Sequence, residues 1–321
     1  MRNLFRPFTS LPKLRRCYST QPTPLVRVLD VPAPGSGRIR ILSLARPAAR
    51  NALSRQLLQE LRTNIDFVAS EYDRHGDELP ARQVFGGAAG VDHQGPTRAL
   101  VLASDVDSSF CAGADLKERA GFSAGETAAF LANLRNTFTA LATLPIPTIS
   151  AVSSLALGGG LELALCTHMR VLASTAQVGL PETRLGIIPG AGGTYRLPAL
   201  IGLGRARDMI LTGRRVSAAE AYFLGIADRL VEIVPEEGKE GDEYKKELMG
   251  KAKEEVLSVA VKLAGEICQG GPVAVRAALQ AVQYAREEVE NKMYERVVGT
   301  EDRNEALLAF REKRMPEFKG R

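Results

Sequence analysis

Two glutamates beside glycine-rich turns are the residues of this sequence best suited to chemistry. Glu162 follows the glycines 158–160, where an apolar strand pattern changes into an apolar helix pattern. Glu182 follows Gly179-Leu-Pro, after another strand-like run. Two carboxylates can act as general base and general acid if the fold brings them together. The same pattern also fits an ordinary tight turn followed by a helix, because an acidic residue in the first turn of a helix interacts favourably with the helix dipole.

Glycine-rich turns follow three strand-like runs, in residues 109–118, 155–162 and 187–194. Backbone N–H groups at the start of a helix lack partners within the helix and favour negative charge. Glycine lets a ligand approach them closely because it has no Cβ. Two such turns that aim N–H groups at one point can form an oxyanion hole. The phosphate-binding patterns G-x-x-x-x-G-K-[ST] and G-x-G-x-x-G after a strand are absent. The residues therefore indicate an oxyanion site for acyl chemistry, with carboxylates as general acid and general base.

Alternating strand and helix patterns predict an α/β fold. Helices are expected after the capping residues Ser54, Ser123 and Ser217, with Gly213 ending one helix and Pro272 starting another. Beyond about residue 190 only helical patterns remain. We therefore expect a core over residues 22–200 and a helical region over 201–321, with a surface insertion or flexible loop at 77–97 and a charged, exposed excursion at 235–251. Apolar runs predict strands over residues 26–29, 39–44, 99–103, 148–152, 169–173 and 177–180.

The composition excludes several classes of function. Apolar residues make up 45% and charged residues 25% of the 321, which is typical of a globular protein, and no apolar run reaches membrane-spanning length. The four cysteines are scattered, and the three histidines form no H-x-x-x-H pair, so a metal site is not expected.

The N-terminal residues 1–21 have the composition of a mitochondrial presequence, being basic, hydroxylated and free of acids, so the matrix is the expected compartment. Arg16-Cys-Tyr-Ser resembles a processing site. The five positive charges of residues 1–18 account for the whole net charge of +5. The remaining chain is neutral overall, so bulk charge gives no reason to expect binding to nucleic acid or to an anionic membrane.

Four motifs resemble the enoyl-CoA hydratase/isomerase (crotonase) family, in the order in which the family carries them. The resemblance runs from about Val26 to the C-terminus and implies a spiral of ββα units followed by a helical trimerisation region, with trimers that can pair into hexamers. It implies an acyl-CoA thioester substrate and no cofactor besides the CoA within it. The motifs are Phe110-Cys-Ala-Gly-Ala-Asp-Leu, Leu155-Ala-Leu-Gly-Gly-Gly-Leu-Glu, Gly179-Leu-Pro-Glu and Ile188-Pro-Gly-Ala-Gly-Gly-Thr-Tyr-Arg-Leu.

The resemblance also implies the roles of the central residues. The N–H groups of Ala114 and Gly159 would hold the thioester oxygen, and Glu162 and Glu182 would add water across C2=C3. Isomerases of the family keep only the acid that matches Glu182, so the presence of both favours hydration. Which glutamate is the base stays open. Substrate-binding positions implied by the resemblance are Ala112, Asp115, Leu116, Lys117, Gly158, Gly190, Phe310 and Lys313.

The substrate and two alternative functions depend on finer features. Cys111-Ala-Gly-Ala-Asp-Leu-Lys-Glu-Arg-Ala most resembles the mitochondrial branch that hydrates 3-methylglutaconyl-CoA in leucine breakdown. Arg119 in this stretch could bind the distal carboxylate of that substrate, or it could be an exposed helical arginine. A short- or medium-chain hydratase of fatty-acid oxidation is the alternative enzyme. RNA binding is the other alternative, and it is disfavoured because the helix after Ser54 carries only two cations, Arg55 and Arg62.

Overall fold

Two β-sheets and eleven α-helices form the part of the chain that the structure, a computed structural model, describes, residues 23–80 and 95–321. The predicted presequence, residues 1–21, and residues 81–94 of the predicted loop lie outside this part. The strands are β1 (Val26–Pro32), β2 (Arg38–Leu44), β3 (Thr97–Ser104), β4 (Ser109–Cys111), β5 (Thr148–Val152), β6 (Leu155–Leu157), β7 (Met169–Ala173), β8 (Gln177–Gly179), β9 (Arg215–Ser217) and β10 (Arg229–Val231). The larger sheet has the order β1-β2-β3-β5-β7-β10 and the smaller one β4-β6-β8-β9.

The helices begin where the sequence places capping residues. Ser54 accepts a hydrogen bond from the Leu57 amide, and Ser123 and Glu126 form a reciprocal capping box, as predicted. Gly213 ends a helix in the left-handed conformation. The helices are α1 (Arg55–Ala69), α2 (Leu116–Arg119), α3 (Ala124–Ala142), α4 (Gly159–Ala164), α5 (Gly193–Ile201), α6 (Leu203–Thr212), α7 (Ala218–Leu224), α8 (Asp242–Cys268), α9 (Pro272–Tyr284), α10 (Glu287–Val298) and α11 (Glu301–Glu312).

Successive ββα units build the core as a spiral, as expected. In each of the pairs β3–β4, β5–β6 and β7–β8, the first strand joins the larger sheet and the second joins the smaller sheet. Within each sheet these strands run parallel. The turns that follow β4, β6 and β8 therefore leave the same edge of the smaller sheet, and this edge is where the predicted functional turns lie.

Helices cover both faces of the larger sheet, which explains its almost continuous apolar strands. Leu42, Leu100 and Leu102 belong to a core cluster that includes apolar residues of α1 and α3. The alternate strand residues Ile41 and Val101 belong to a second cluster, with apolar residues of α8. This arrangement buries the strands on both sides and fixes the positions of the turns at their ends.

The prediction of helices alone after residue 190 is wrong. β9 pairs antiparallel with β8, and β10 pairs parallel with β7 at the edge of the larger sheet. Both strands have three residues, too few to show a period of two. Residues 235–251 are mostly exposed, as predicted, and their second part is helical because α8 begins at Asp242, where two acids occupy its first turn.

Candidate active site

The turn after β4 is held by the segment that precedes α1. The Leu53 amide donates to Gly113 O at 2.8 Å, and the Asp115 amide donates to Leu53 O at 3.2 Å. Ala114 lies between these two bonds, so the alternation of a strand points its own N–H group away from Leu53. Gly113 adopts φ +94°, which favours glycine.

The turn after β6 brings the start of α4 against the first turn. A Cβ atom added at Gly159 would lie 3.7 Å from the Ala114 nitrogen. Gly159 is the first residue of α4, so its amide has no partner within the helix. Gly158 adopts φ +53°, and its N–H group donates to Gly179 O at 2.9 Å, which ties the turn to β8. The two amides predicted to form an oxyanion hole therefore belong to segments in contact.

Glu162 lies on α4, one turn after the glycines, and is 2% exposed. Its Oε1 accepts hydrogen bonds from the amides of Ala191 and Gly193, both at 2.8 Å. Burial raises the pKa of Glu162, and these two amides oppose that rise because they stabilise the charged form. The carboxylate is thereby held in one orientation by the turn that precedes α5.

Glu182 begins a 3-10 helix, Glu182–Leu185, directly after Pro181. Its Oε2 is buried and has no hydrogen-bond partner among the described residues. Burial raises the pKa of Glu182 to about 7, and the negative charge of Glu162 adds to this rise. A Cβ atom added at Gly158 would lie 3.1 Å from Glu182 Oε1, so the glycine leaves room for the carboxyl group.

Both carboxyl groups face one cleft of about 560 Å³, which we call the acyl cleft. Its walls are mostly apolar and include Leu131 and Leu134 of α3 together with Ile187 and Ile188. A mostly apolar cleft with a few convergent polar groups is the usual form of a small-molecule site. The predicted site residues that line it are Ala112, Ala114, Leu116, Arg119, Gly158, Gly159, Glu162, Glu182 and Gly190.

Four predicted binding residues do not line the acyl cleft. Asp115 caps α2, accepting from the amides of Lys117 and Glu118, and pairs with Arg46 at 2.7 Å, so it shapes the turn. Lys117 is exposed on α2. Phe310 is 86% exposed at the end of α11, and Lys313 follows it in a left-handed conformation. In the single chain these last two side chains face solvent.

Sequence reasoning missed one wall of the cleft. Thr127, Leu131 and Arg135 lie four residues apart along α3, so they share a face, and all three line the cleft. Phe130, Leu134 and Phe138 of the same helix are buried, and Leu134 also lines the cleft. The i, i+4 spacing of Thr127, Leu131 and Arg135 is visible in the sequence, but no local pattern shows that the helix face they form lines a cleft.

Comparison with known proteins shows the family of the chain. The family model described as enoyl-CoA hydratase/isomerase matches residues 90–321. The chain belongs to the enoyl-CoA hydratase/isomerase family. A relative from Pyricularia oryzae, named methylglutaconyl-CoA hydratase 1, mitochondrial, is 66% identical over 95% of this chain and 90% of its own length. The human methylglutaconyl-CoA hydratase, mitochondrial, is 38% identical over 88% of this chain and 74% of its own length.

Solved structures of this family share the fold. An enoyl-CoA hydratase from Bacillus anthracis superposes with a TM-score of 0.75 and 36% identity, covering 92% of this chain and 100% of its own. As an enoyl-CoA hydratase-type enzyme, the protein acts on thioesters whose CoA arrives with the substrate. Within residues 23–80 and 95–321, no helix is long and apolar enough to cross a membrane, and no cluster of three His, Cys, Asp or Glu could hold a metal ion.

Proposed function

We propose that the protein adds water across the C2=C3 bond of 3-methylglutaconyl-CoA to give 3-hydroxy-3-methylglutaryl-CoA. The observation that carries this proposal is that two buried carboxyl groups and the Ala114–Gly159 turn pair line one apolar cleft. The substrate assignment rests on the two relatives named methylglutaconyl-CoA hydratase. Short- and medium-chain enoyl-CoA thioesters are the competing substrates.

In the first step, the amides of Ala114 and Gly159 bind the thioester oxygen. Water attacks C3, the C2=C3 electrons move toward the carbonyl, and negative charge develops on the oxygen. Backbone donors aimed at this charge stabilise the enolate, and removing one such donor costs roughly 10²–10³ in rate. Removing an amide is impossible by side-chain mutation, so the carboxyl groups give the practical test.

The contacts of the two glutamates support different roles. Glu162 accepts two amide hydrogen bonds, which favour its charged form, so it is assigned as the base that takes a proton from water. Glu182 has a buried, unpartnered Oε2 and a pKa near 7, so it is assigned as the acid that gives a proton to C2. After turnover Glu162 holds the proton and Glu182 is ionised, so one proton must pass between them or through solvent to reset the site.

The remaining contacts are proposed on the same basis. CoA would pass Ala112, Leu116 and Lys117 at the mouth of the cleft, and Phe310 and Lys313 would reach CoA bound to a neighbouring copy. No cofactor besides the CoA of the substrate is proposed, and the mitochondrial matrix is the proposed compartment because the relatives carry mitochondrial names.

RNA binding is not proposed, because the two arginines of α1 already pair with acids. Arg62 pairs with Asp66 at 2.7 Å, and Arg55 pairs with Glu126 at 3.1 Å. The charges of these two arginines are therefore partly neutralised on the helix that would have to carry a cationic surface.

Hydration of a panel of enoyl-CoA thioesters tests the function. We expect wild type to hydrate 3-methylglutaconyl-CoA with a higher kcat/KM than crotonyl-CoA. Glu162→Gln and Glu182→Gln should each lower kcat by at least about 10²-fold, the lower range of general acid–base catalysis. Both variants keep the shape of the side chain, so unfolding curves should show folded proteins.

Glu254→Gln, an exposed site on α8, is the matched control and should keep wild-type turnover. Near-normal hydration by either cleft variant would refute the two-carboxylate mechanism. A preference for crotonyl-CoA or longer unbranched thioesters would instead leave the mechanism intact and identify the fatty-acid alternative.

A further inference from the structure

We infer that Arg135 is a positioning residue that acts on Glu162 through a single peptide group. The peptide that joins Gly190 to Ala191 carries both contacts. Its carbonyl accepts a hydrogen bond from Arg135 Nε at 2.7 Å, and its N–H group donates to Glu162 Oε1 at 2.8 Å. The inference rests on the proposed function, in which Glu162 is the base, and it adds a residue that does not itself touch the reacting atoms.

The peptide needs such support because of its sequence. It lies between Pro189 and the glycines 192–193, where Gly192 adopts φ +119°. Glycine allows many backbone conformations, so the turn by itself does little to fix the peptide plane. If the plane rotated by half a turn, the carbonyl of Gly190 would point toward the carboxylate, which accepts hydrogen bonds and cannot donate them when ionised. Arg135 holds the carbonyl on the opposite side.

A second arginine supports the next peptide in the same way. Arg196 Nη1 donates to Ala191 O at 3.0 Å. The other amide that reaches Glu162 belongs to Gly193, one peptide further on. Two peptide N–H groups reach Glu162, those of Ala191 and Gly193. Among the described residues, Arg135 is therefore the only cationic side chain that donates to the carbonyl of either of these two peptides.

The bond from Arg135 also has an electrostatic effect. A charged donor on the carbonyl polarises the peptide and strengthens the hydrogen bond that its N–H group makes. The charged and titratable groups that face Glu162 are Arg135, Arg196, Glu182 and the Cys166 thiol. Both arginines lower the pKa of Glu162, against the rise caused by burial. Arg135 is exposed, so its effect is partly screened by solvent.

The surroundings of Arg135 suit positioning better than general stabilisation. No ion pair joins it to an acid within residues 23–80 and 95–321, and its bond to Gly190 crosses from α3 to a turn 55 residues later in the chain. A substrate carboxylate is the other group that could bind this guanidinium, because Arg135 lines the cleft. The two roles differ in which substrates would suffer when the arginine is removed.

The test compares Arg135→Leu, Arg135→Lys and the control Asn136→Leu, an exposed neighbour on α3. Hydration of 3-methylglutaconyl-CoA and crotonyl-CoA is measured across the pH range in which the wild type is stable. We expect Arg135→Leu to lower kcat about tenfold on both substrates, equivalent to about 1.4 kcal/mol of activation free energy. The acidic limb of its kcat/KM profile should move to higher pH, because Glu162 loses a cation that lowers its pKa. Lysine restores a cationic donor, so Arg135→Lys should recover part of kcat.

Three results would overturn the inference. Unchanged kcat and pH profile in Arg135→Leu would show that the peptide needs no support. A loss confined to 3-methylglutaconyl-CoA would identify Arg135 as a contact to the substrate carboxylate. An equal loss at every pH, without recovery in Arg135→Lys, would indicate collapse of the turn. Each of these leaves wild-type hydration in place, whereas failure of the proposed function would appear as absent hydration in the wild type.

Discussion

Glu162 and Glu182 occupy one cleft but differ in their partners. Glu162 has two backbone donors, whereas Oε2 of Glu182 is buried without any among the described residues. A buried carboxylate oxygen without a partner is costly, and this favours the neutral form of Glu182 up to about pH 7. The difference arises because the glycine turn before α5 offers two amides to Glu162, while the only amide that stabilises the charged form of Glu182 is its own.

Glu182 should make the stability of the protein depend on pH. Its folded-state pKa is raised from 4.5 to about 7, so the folded form binds a proton that the unfolded form has lost in this range. Stability is therefore highest below about pH 4.5 with respect to this group, and it decreases as pH rises to about 7, by up to about 3 kcal/mol.

Glu182→Gln removes this titration. We expect the unfolding free energy of the variant to exceed that of wild type by a margin that grows as pH rises through this window, measured by urea unfolding at several pH values. The Glu254→Gln protein controls for the loss of one negative charge. A margin independent of pH would contradict the raised pKa.

Arg119 is the residue most suited to recognise a substrate carboxylate. It lines the acyl cleft, its guanidinium lies 5.8 Å from the centre of the Phe130 ring, and no ion pair joins it to an acid of the described residues. A charge-assisted hydrogen bond is worth about 1.5–3 kcal/mol, or roughly 10- to 100-fold in kcat/KM. Arg119→Met should lose this factor on 3-methylglutaconyl-CoA and keep wild-type activity on crotonyl-CoA.

Steady-state kinetics on both thioesters measure this difference. Arg62→Met replaces a surface arginine of α1 and is the matched control. Equal losses on both substrates would remove the case for carboxylate recognition by Arg119.

At the scale of elements, Asn51 joins the segment before α1 to the strands that lead into the oxyanion turn. It is fully buried with φ +57°. Its Oδ1 accepts from the Arg46 amide at 2.8 Å, and its Nδ2 donates to Ser104 Oγ and Phe110 O at 2.8 and 3.0 Å. These bonds fix the segment that pairs with the turn around Ala114, so Asn51 supports the turn without lining the cleft.

Replacing Asn51 should affect both stability and turnover. Asn51→Ala loses buried hydrogen bonds and puts alanine in the left-handed region, so we expect about 2–4 kcal/mol of destabilisation by urea unfolding. Asn51→Gly loses the same bonds without the backbone strain and should be less destabilised, by about 1 kcal/mol. Hydration by the folded fraction should fall in both. Equal stability of alanine and glycine variants would show that backbone strain contributes nothing.

At the scale of the whole molecule, two consecutive helices expose large apolar side chains. Leu203 and Leu211 of α6 and Phe223 of α7 are 61%, 70% and 78% exposed, and Arg205 of α6 lies over the Phe223 ring. Apolar patches of this kind on a folded protomer indicate contact with another protein surface. We propose that this face packs against further copies of the chain, as a trimer or a hexamer.

Sedimentation velocity tests the assembly. We expect wild type to sediment as a trimer or hexamer, and Phe223→Glu to shift most of the protein to smaller species, because burying an unpaired charge at an interface is costly. Leu29→Glu, an exposed apolar site on the edge strand β1, should keep the wild-type mass. A monomeric wild type, or an unchanged mass in Phe223→Glu, would refute this interface.

Local sequence determined the elements that carry the site. Ser54 and Ser123 start their helices as predicted, and glycines occupy the turns before α4 and α5. Helix capping and the backbone freedom of glycine act within a few residues, so both features could be predicted from the sequence. Glu162 and Glu182 could be predicted from the family motifs, because their spacing from the neighbouring motif residues is a property of the sequence alone. The three-residue strands β4, β6, β9 and β10 gave no readable period.

Only the tertiary structure decided which of these elements meet. Parallel stacking of the ββα units brings the turn ends of β4, β6 and β8 to one edge, and this is why Ala114 faces Gly159 and both glutamates share a cleft. The bond from Arg135 to the Gly190 carbonyl likewise joins segments 55 residues apart. Hydrogen-bond geometry between distant segments depends on how sheets and helices pack, and one sequence carries no local signal for it.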